Sequence, residues 1–274
     1  MKVYEIENGR DGIFTAVYDS YLNKETPDLV TSESMYAIEF LSEVSAIKTD
    51  KIKASEVRSA VLKYSSEKVL DDIGIVLLSC SDAKETVIFN FVKSIIDNKR
   101  NVSYDFGSKT TADFNTLKER VLTETHRFKG FMRFSETTNG LLYAKFEPDN
   151  DIIKLVAAHF RARLNNEAFV LHDVKRNKVA AYDKNKVYFF IPDVPLSVYI
   201  NEKELHCRSL WKEYFDAVNI DERKNVRQQK NYMPTRYWKN LTEFVSDVES
   251  GRANYHKPHK NKNGADFISV PFLR

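Results

Sequence analysis

Residues 168–191 read AFVLHDVKRNKVAAYDKNKVYFFI. Three short runs of β-branched, aromatic and small apolar residues, 168–174, 178–182 and 187–191, are separated by Arg176-Asn177 and by the polar stretch 183–186. Runs of that length bounded by turn formers predict successive antiparallel strands. Just upstream, the apolar, aromatic segments 131–134 and 141–146 flank Asn139-Gly140, a strong hairpin signal because both residues tolerate positive φ. Between the two strand groups, Pro148-Asp149 opens a helix carrying Ile152, Ile153, Leu155, Val156, His159, Phe160 and Leu164 at helical spacing.

Helices are predicted on both sides. Downstream, Pro192 and Pro195 bracket a connector, and helices follow over about 205–218, 221–229 and 235–249, with Pro234 at a start and Gly251 at a C-cap. Upstream, residues 54–125 hold four apolar stripes of period 3.6, with Ser55, Ser81 or Asp82, and Asp113 as candidate starts; Gly130 ends that pattern. The chain opens with alternation over 2–6, a helix through Ile13, Phe14, Val17, Tyr18 and Tyr21, a loop over 25–34 at Pro27 and a weaker strand near 45–47. The expected class is α+β: a small antiparallel sheet over about 130–191, with the N-terminal strand as a candidate further member, flanked by helices on both sides in sequence. The organisation expected is a mainly helical region 1–125, a core 126–250 and a basic tail 251–274, with one compact unit as the alternative.

Hydrophobic residues make up 42% and charged residues 30% of 274, enough for a packed core and against global disorder. Two cysteines, Cys80 and Cys207, lie far apart in no CxxC or Cys/His pattern, so neither a metal nor another cofactor is expected, and a reducing cytoplasm is the default setting. No apolar run approaches the roughly 20 residues that span a bilayer, so no membrane association is expected. P-loop, GxGxxG, GxSxG, HExxH and zinc-deaminase signatures are all missing. The net charge is only +3, but residues 206–274 carry +5 and the rest −2.

That asymmetry centres on residues 221–241, DERKNVRQQKNYMPTRYWKNL. Arg223, Lys224, Arg227, Lys230 and Arg236 suit phosphate contacts, and Tyr232, Tyr237 and Trp238 offer flat rings for bases. The competing reading makes the cations a solvated helix face and Tyr237, Trp238 and Leu241 core. Arg127 and Lys129, at a helix end, are a second candidate phosphate contact; cations are also ordinary there, where carbonyl dipoles attract them. A separate acidic and histidine set could serve acid–base or metal chemistry: Glu147 and Asp149 at a strand-to-helix junction, His159 two turns on, and His172 beside Asp173. Dipole-favoured acids, a satisfied core histidine and an Asp173 ion pair with Lys175 or Arg176 are the plainer explanations. His172 and Asp173, adjacent on a strand, are expected to face opposite ways.

Four segments, HRFKGFMRF (126–134), YAKFEPDNDIIKLVAAHF (143–160), VLHDVKRNKVAAYD (170–183) and WKEYFDAVNIDERKNVRQQKNYMPTRYWKNL (211–241), together resemble a bacterial family assigned to DNA metabolism or DNA repair, whose core is a domain of unknown function. ERKN, RQQ and YMP followed by RYWKNL are the most specific parts. The resemblance implies a DNA context and a radical SAM DNA repair-like partner encoded nearby. In relatives the domain is fused to a uracil-DNA glycosylase-like domain; that domain is not expected here, so base excision would fall to the partner. The family offers no catalytic residues to carry over. The expectation is a DNA-binding accessory protein without independent catalytic activity; the alternatives are a nucleic-acid-processing enzyme using the acid–histidine set, and a scaffold that docks the partner enzyme.

Overall fold

The structure, a computed structural model, describes residues 1–32, 43–194, 196 and 198–244. The chain divides into two compact units, Met1–Glu124 with Asp149–Asp151, and Thr125–Pro148 with Ile152–Arg274.

In the first unit, β1 (Lys2–Ile6) is the middle strand of a three-stranded parallel sheet, between β2 (Leu29–Thr31) and β3 (Glu43–Ile47). Parallel pairing needs a crossover, and α1 (Arg10–Leu22) supplies the one from β1 to β2. Its entry is tight: a Cβ on Gly12 would sit 2.2 Å from the Glu7 carbonyl oxygen, so only glycine fits there. Two expectations are corrected. The N-terminal strand does not join the later sheet; Val3 and Tyr4 are buried and pair within this one. The loop expected over 25–34 contains β2, because fully buried Val30 exchanges hydrogen bonds with the Thr86 side chain.

Four helices complete this unit's core: α2 (Lys51–Tyr64), α3 (Glu67–Val76), α4 (Lys84–Asn98) and α5 (Lys109–Phe131), the last entering the second unit at Thr125. The periodic apolar residues of 54–125 do form the buried cluster, with Phe91 and Phe114 stacked at 3.8 Å. Asp50, not Ser55, caps α2, accepting from the N–H groups of Ile52 and Lys53. α5 begins at Lys109 rather than Asp113 and runs through Gly130. Gly130 is the penultimate residue of α5, in its last turn, and the packing of Phe128 and Phe131 against Tyr237 holds that turn in place.

The second unit holds a five-stranded sheet in the order β4 (Ser135–Glu136), β5 (Leu142–Phe146), β6 (Phe169–Asp173), β7 (Lys178–Tyr182), β8 (Val187–Phe190). The two hairpins read from 168–191 are present, in the register His172↔Val179 and Ala181↔Tyr188. The sheet is mixed, not purely antiparallel: β5 and β6 run parallel, because α6 (Ile153–Arg163) returns the chain between them. The first hairpin is shorter than expected. Residues 132–134 are not strand, and Gly140 takes the positive φ of 72° that the Asn-Gly signal anticipates. One sheet face, with Phe146, Phe169, Leu171, Ala180 and Tyr182, is buried along with Val156, Ala157 and Phe160 of α6. The other carries a smaller cluster around Val170, Val179 and Ala181 with Tyr143, Phe190 and Leu196.

Candidate nucleic-acid interface

After β8 the second unit becomes open and polar. α7 (Glu202–Ala217) is capped by Asn201, whose side chain accepts from the N–H of Lys203. A 3-10 turn (Asp221–Arg223), α8 (Val226–Tyr232) capped by Asn225, and a second 3-10 segment (Thr235–Asn240) follow. The helix expected over 235–249 is therefore a 3-10 segment at its start; residues 245–249, Gly251 and the tail 251–274 lie outside the described residues.

Arg223, Lys224, Arg227, Lys230 and Arg236 are all exposed, and Tyr232 presents 71% of its surface to solvent. Among the described residues no ion pair engages Arg223, Arg227 or Lys230. Exposed cations of this kind are available to counter-charges in solution.

Of its two readings, Tyr237 takes the core one. It is 4% exposed, meets Phe128 edge-on at 4.9 Å and lies against Phe131 at 5.7 Å. Arg236 covers its ring at 4.7 Å and donates to its hydroxyl at 2.6 Å. Trp238 is half-buried, stacked on Phe244 at 4.4 Å, and its indole N–H donates to the Met233 carbonyl. One ring face and its only donor are thus taken, so among the three rings Tyr232 has the most open surface. Arg127 and Lys129 are half-buried at the end of α5.

Three of the acid–histidine candidates, Glu147, Asp173 and His172, are held by separate partners. Glu147 pairs with Lys239 at 2.5 Å. Asp149 belongs to the first unit, where its N–H donates to Glu124. Asp173 is fully buried and accepts from the backbone N–H of Arg176 and from its guanidinium, both across the β6–β7 turn. His172 points to the opposite face, as strand alternation requires; its Nε2 faces the Asn177 Oδ1 acceptor at 3.4 Å, which leaves Nδ1 to accept from the Tyr143 hydroxyl at 2.9 Å. Burial pushes the Tyr143 phenol up to about 12, so it is a donor at neutral pH. Desolvation, then Lys129 and Arg163, push the His159 imidazole down, and its buried Nε2 has no hydrogen-bond partner among the described residues. Among the described residues no group of three His, Cys, Asp or Glu side chains could hold a metal.

Burial also pushes the His172 imidazole down, and Lys145, its register partner on β5, adds to this. The unfolded chain therefore takes up this proton first as pH falls. Stability is full above the ordinary imidazole value of about 6.5 and is lost as pH drops from there towards the lowered folded value. Histidine NMR titration is expected to place His172 below free imidazole, and Lys145→Met to move it upward.

α7 has no buried residue, yet Leu210, Trp211, Tyr214 and Val218 recur at helical spacing on it and just beyond, all 42% or more exposed. Apolar periodicity alone predicts an inward face there. The inward role falls to the neighbouring stripe, where Arg208 donates to Glu204 and to Ser135, and Phe215 meets Phe244.

The sequence profile of DUF4130, described as a domain of unknown function, matches residues 82–243, more than half of the chain. No curated protein and no solved structure matches. No helix among the described residues is long and apolar enough to cross a membrane.

Proposed function

The chain belongs to the DUF4130 family, a domain of unknown function, and from that premise we propose that it is a DNA-binding accessory protein of DNA repair or modification, working beside a radical SAM enzyme. The observation that carries this reading is the exposed set Arg223, Arg227 and Lys230, without ion-pair partners among the described residues, followed by the open ring of Tyr232. Cations grip phosphates regardless of sequence, and an exposed tyrosine stacks on any unpaired base. Binding is thus sequence-tolerant and salt-sensitive. The DNA context and the radical SAM partner rest on the resemblance of segments 126–134, 143–160, 170–183 and 211–241. Of the acid–histidine residues, Glu147, Asp173 and His172 are engaged separately by Lys239, Arg176 and Tyr143, which gives an enzyme reading no comparable support.

Fluorescence anisotropy with labelled single-stranded and duplex DNA tests the proposal. The chain is expected to bind at low salt, with affinity falling as salt rises. Replacing Arg223, Arg227 and Lys230 together by Ala is expected to reduce the salt slope by about 2 to 3, since each lost phosphate contact removes about 0.7–0.9. No binding at low salt, or a triple variant that binds like the parent, sinks the proposal. Capture of the radical SAM protein from nuclease-treated extract tests the partner separately.

A further inference from the structure

The outward stripe of α7 is poorly explained by monomeric life in water. Leu210 is 49% exposed, Trp211 42%, Tyr214 57% and Val218 52%, with exposed Cys207 one turn before Trp211. Contiguous exposed apolar groups on one helix stripe mark an interaction surface. Trp211 is already fixed at one edge: its indole N–H donates to Glu243 at 3.2 Å, and Glu243 is held by Arg133 through two hydrogen bonds. Burying the rest of that ring would cost no lost hydrogen bond and little side-chain entropy, the profile of an interface anchor.

We propose that this stripe is the contact of a symmetric dimer, in which the α7 of a second copy lies antiparallel across it. The pattern matches its own reverse. About a two-fold axis between Leu210 and Trp211, Leu210 faces the partner's Trp211, Cys207 faces Tyr214, and Lys203 faces Val218. A self-complementary patch is what a two-fold contact requires. The charges agree with the antiparallel sense. Lys203, exposed near the helix start, arrives at the carbonyl-rich C-terminal end of the partner's α7, where a cation is favoured. A parallel pair would instead bring the two Lys203 ammonium groups together.

Sedimentation velocity on the full chain without DNA is the test, so that its outcome is separate from that of DNA binding. The mass is expected to rise from monomer to dimer between about 1 and about 100 μM, a range that brackets a modest interface. Leu210→Asp, at an exposed position where folding is little affected, is expected to weaken the dimer at least about tenfold, with an unchanged circular dichroism spectrum. Geometry is read by cross-linking in a Cys80→Ser background. Diamide takes up two hydrogens as two thiols become one disulfide. Tyr214→Cys is expected to give a covalent dimer through Cys207, while the chain with Cys207 alone stays monomeric on a denaturing gel. A constant monomer mass, a dimer indifferent to Leu210→Asp, or a Cys207–Cys207 cross-link without the added cysteine overturns the proposal.

Discussion

Tyr237→Ala is expected to destabilise the second unit by about 3–5 kcal/mol, the range for truncating a large buried aromatic. The ring meets Phe128 and Phe131, and Phe128 in turn lies edge-on to Phe146 of the sheet at 5.2 Å, so the cavity opens inside the aromatic core. Relaxation is limited, because Phe128 and Phe131 are carried on one helix. Tyr237→Phe keeps the ring and loses the hydrogen bond from Arg236, a change of about 0.5–1.5 kcal/mol. Tyr232→Ala is the contrasting variant. With 71% of its surface exposed, it is expected to change stability by no more than about 0.5 kcal/mol. It is expected to weaken single-stranded DNA binding by about 1–3 kcal/mol, the worth of one stacked base. Urea unfolding followed by circular dichroism measures the first effect and anisotropy the second. If Tyr237→Ala unfolds like the parent, the core assignment of that residue fails.

That contrast shows what the sequence could reveal. Tyr232, Tyr237 and Trp238 are chemically alike and within seven positions of one another, and composition alone could not rank them. What separates them is the local backbone. Tyr232 ends α8 facing water, while the 3-10 segment after Pro234 turns Tyr237 inward. The cations were easier, because arginine and lysine heads stay hydrated whatever the backbone does. The helices of residues 54–125 and the hairpins of 168–191 were legible because their periods and turns are local. Both sets of parallel pairings were not: β1 with β2 and β3, and β5 with β6, join strands far apart in sequence, and no local signal marks such partners. The opposed faces of His172 and Asp173 followed from the two-residue period, but the hydroxyl that meets His172 comes from Tyr143, 29 positions away. On α7 the periodicity was present in the sequence and its direction was not.

The second large effect is expected in the first unit, at Glu124. This carboxylate is 4% exposed. One oxygen accepts from the Asp149 N–H at 2.9 Å; the other accepts from the Asn150 N–H at 2.8 Å and from its side-chain amide at 2.7 Å. Asn150 uses its own carbonyl oxygen to accept from the Cys80 N–H, and the Asp151 N–H donates to the Leu78 carbonyl. Residues 149–151 are therefore held to α5 through the Glu124 carboxylate and to the connector between α3 and α4 through Cys80 and Leu78. Glu124→Ala removes the acceptor of three donors, the Asn150 backbone N–H among them buried. Each such group left without a partner costs about 1–3 kcal/mol, so a loss of about 3 kcal/mol or more is expected. Glu124→Gln separates hydrogen bonding from packing. Its amide oxygen can serve both Asn150 donors, but its NH2 would face the Asp149 N–H, donor against donor. Its cost is expected to fall between those of the parent and Glu124→Ala. Hydrogen exchange gives the local readout: the amides of Asp149, Asn150 and Cys80 are expected to lose protection first. Equal costs for Gln and Ala, or unchanged protection at Cys80, would show that the carboxylate is not what holds this segment.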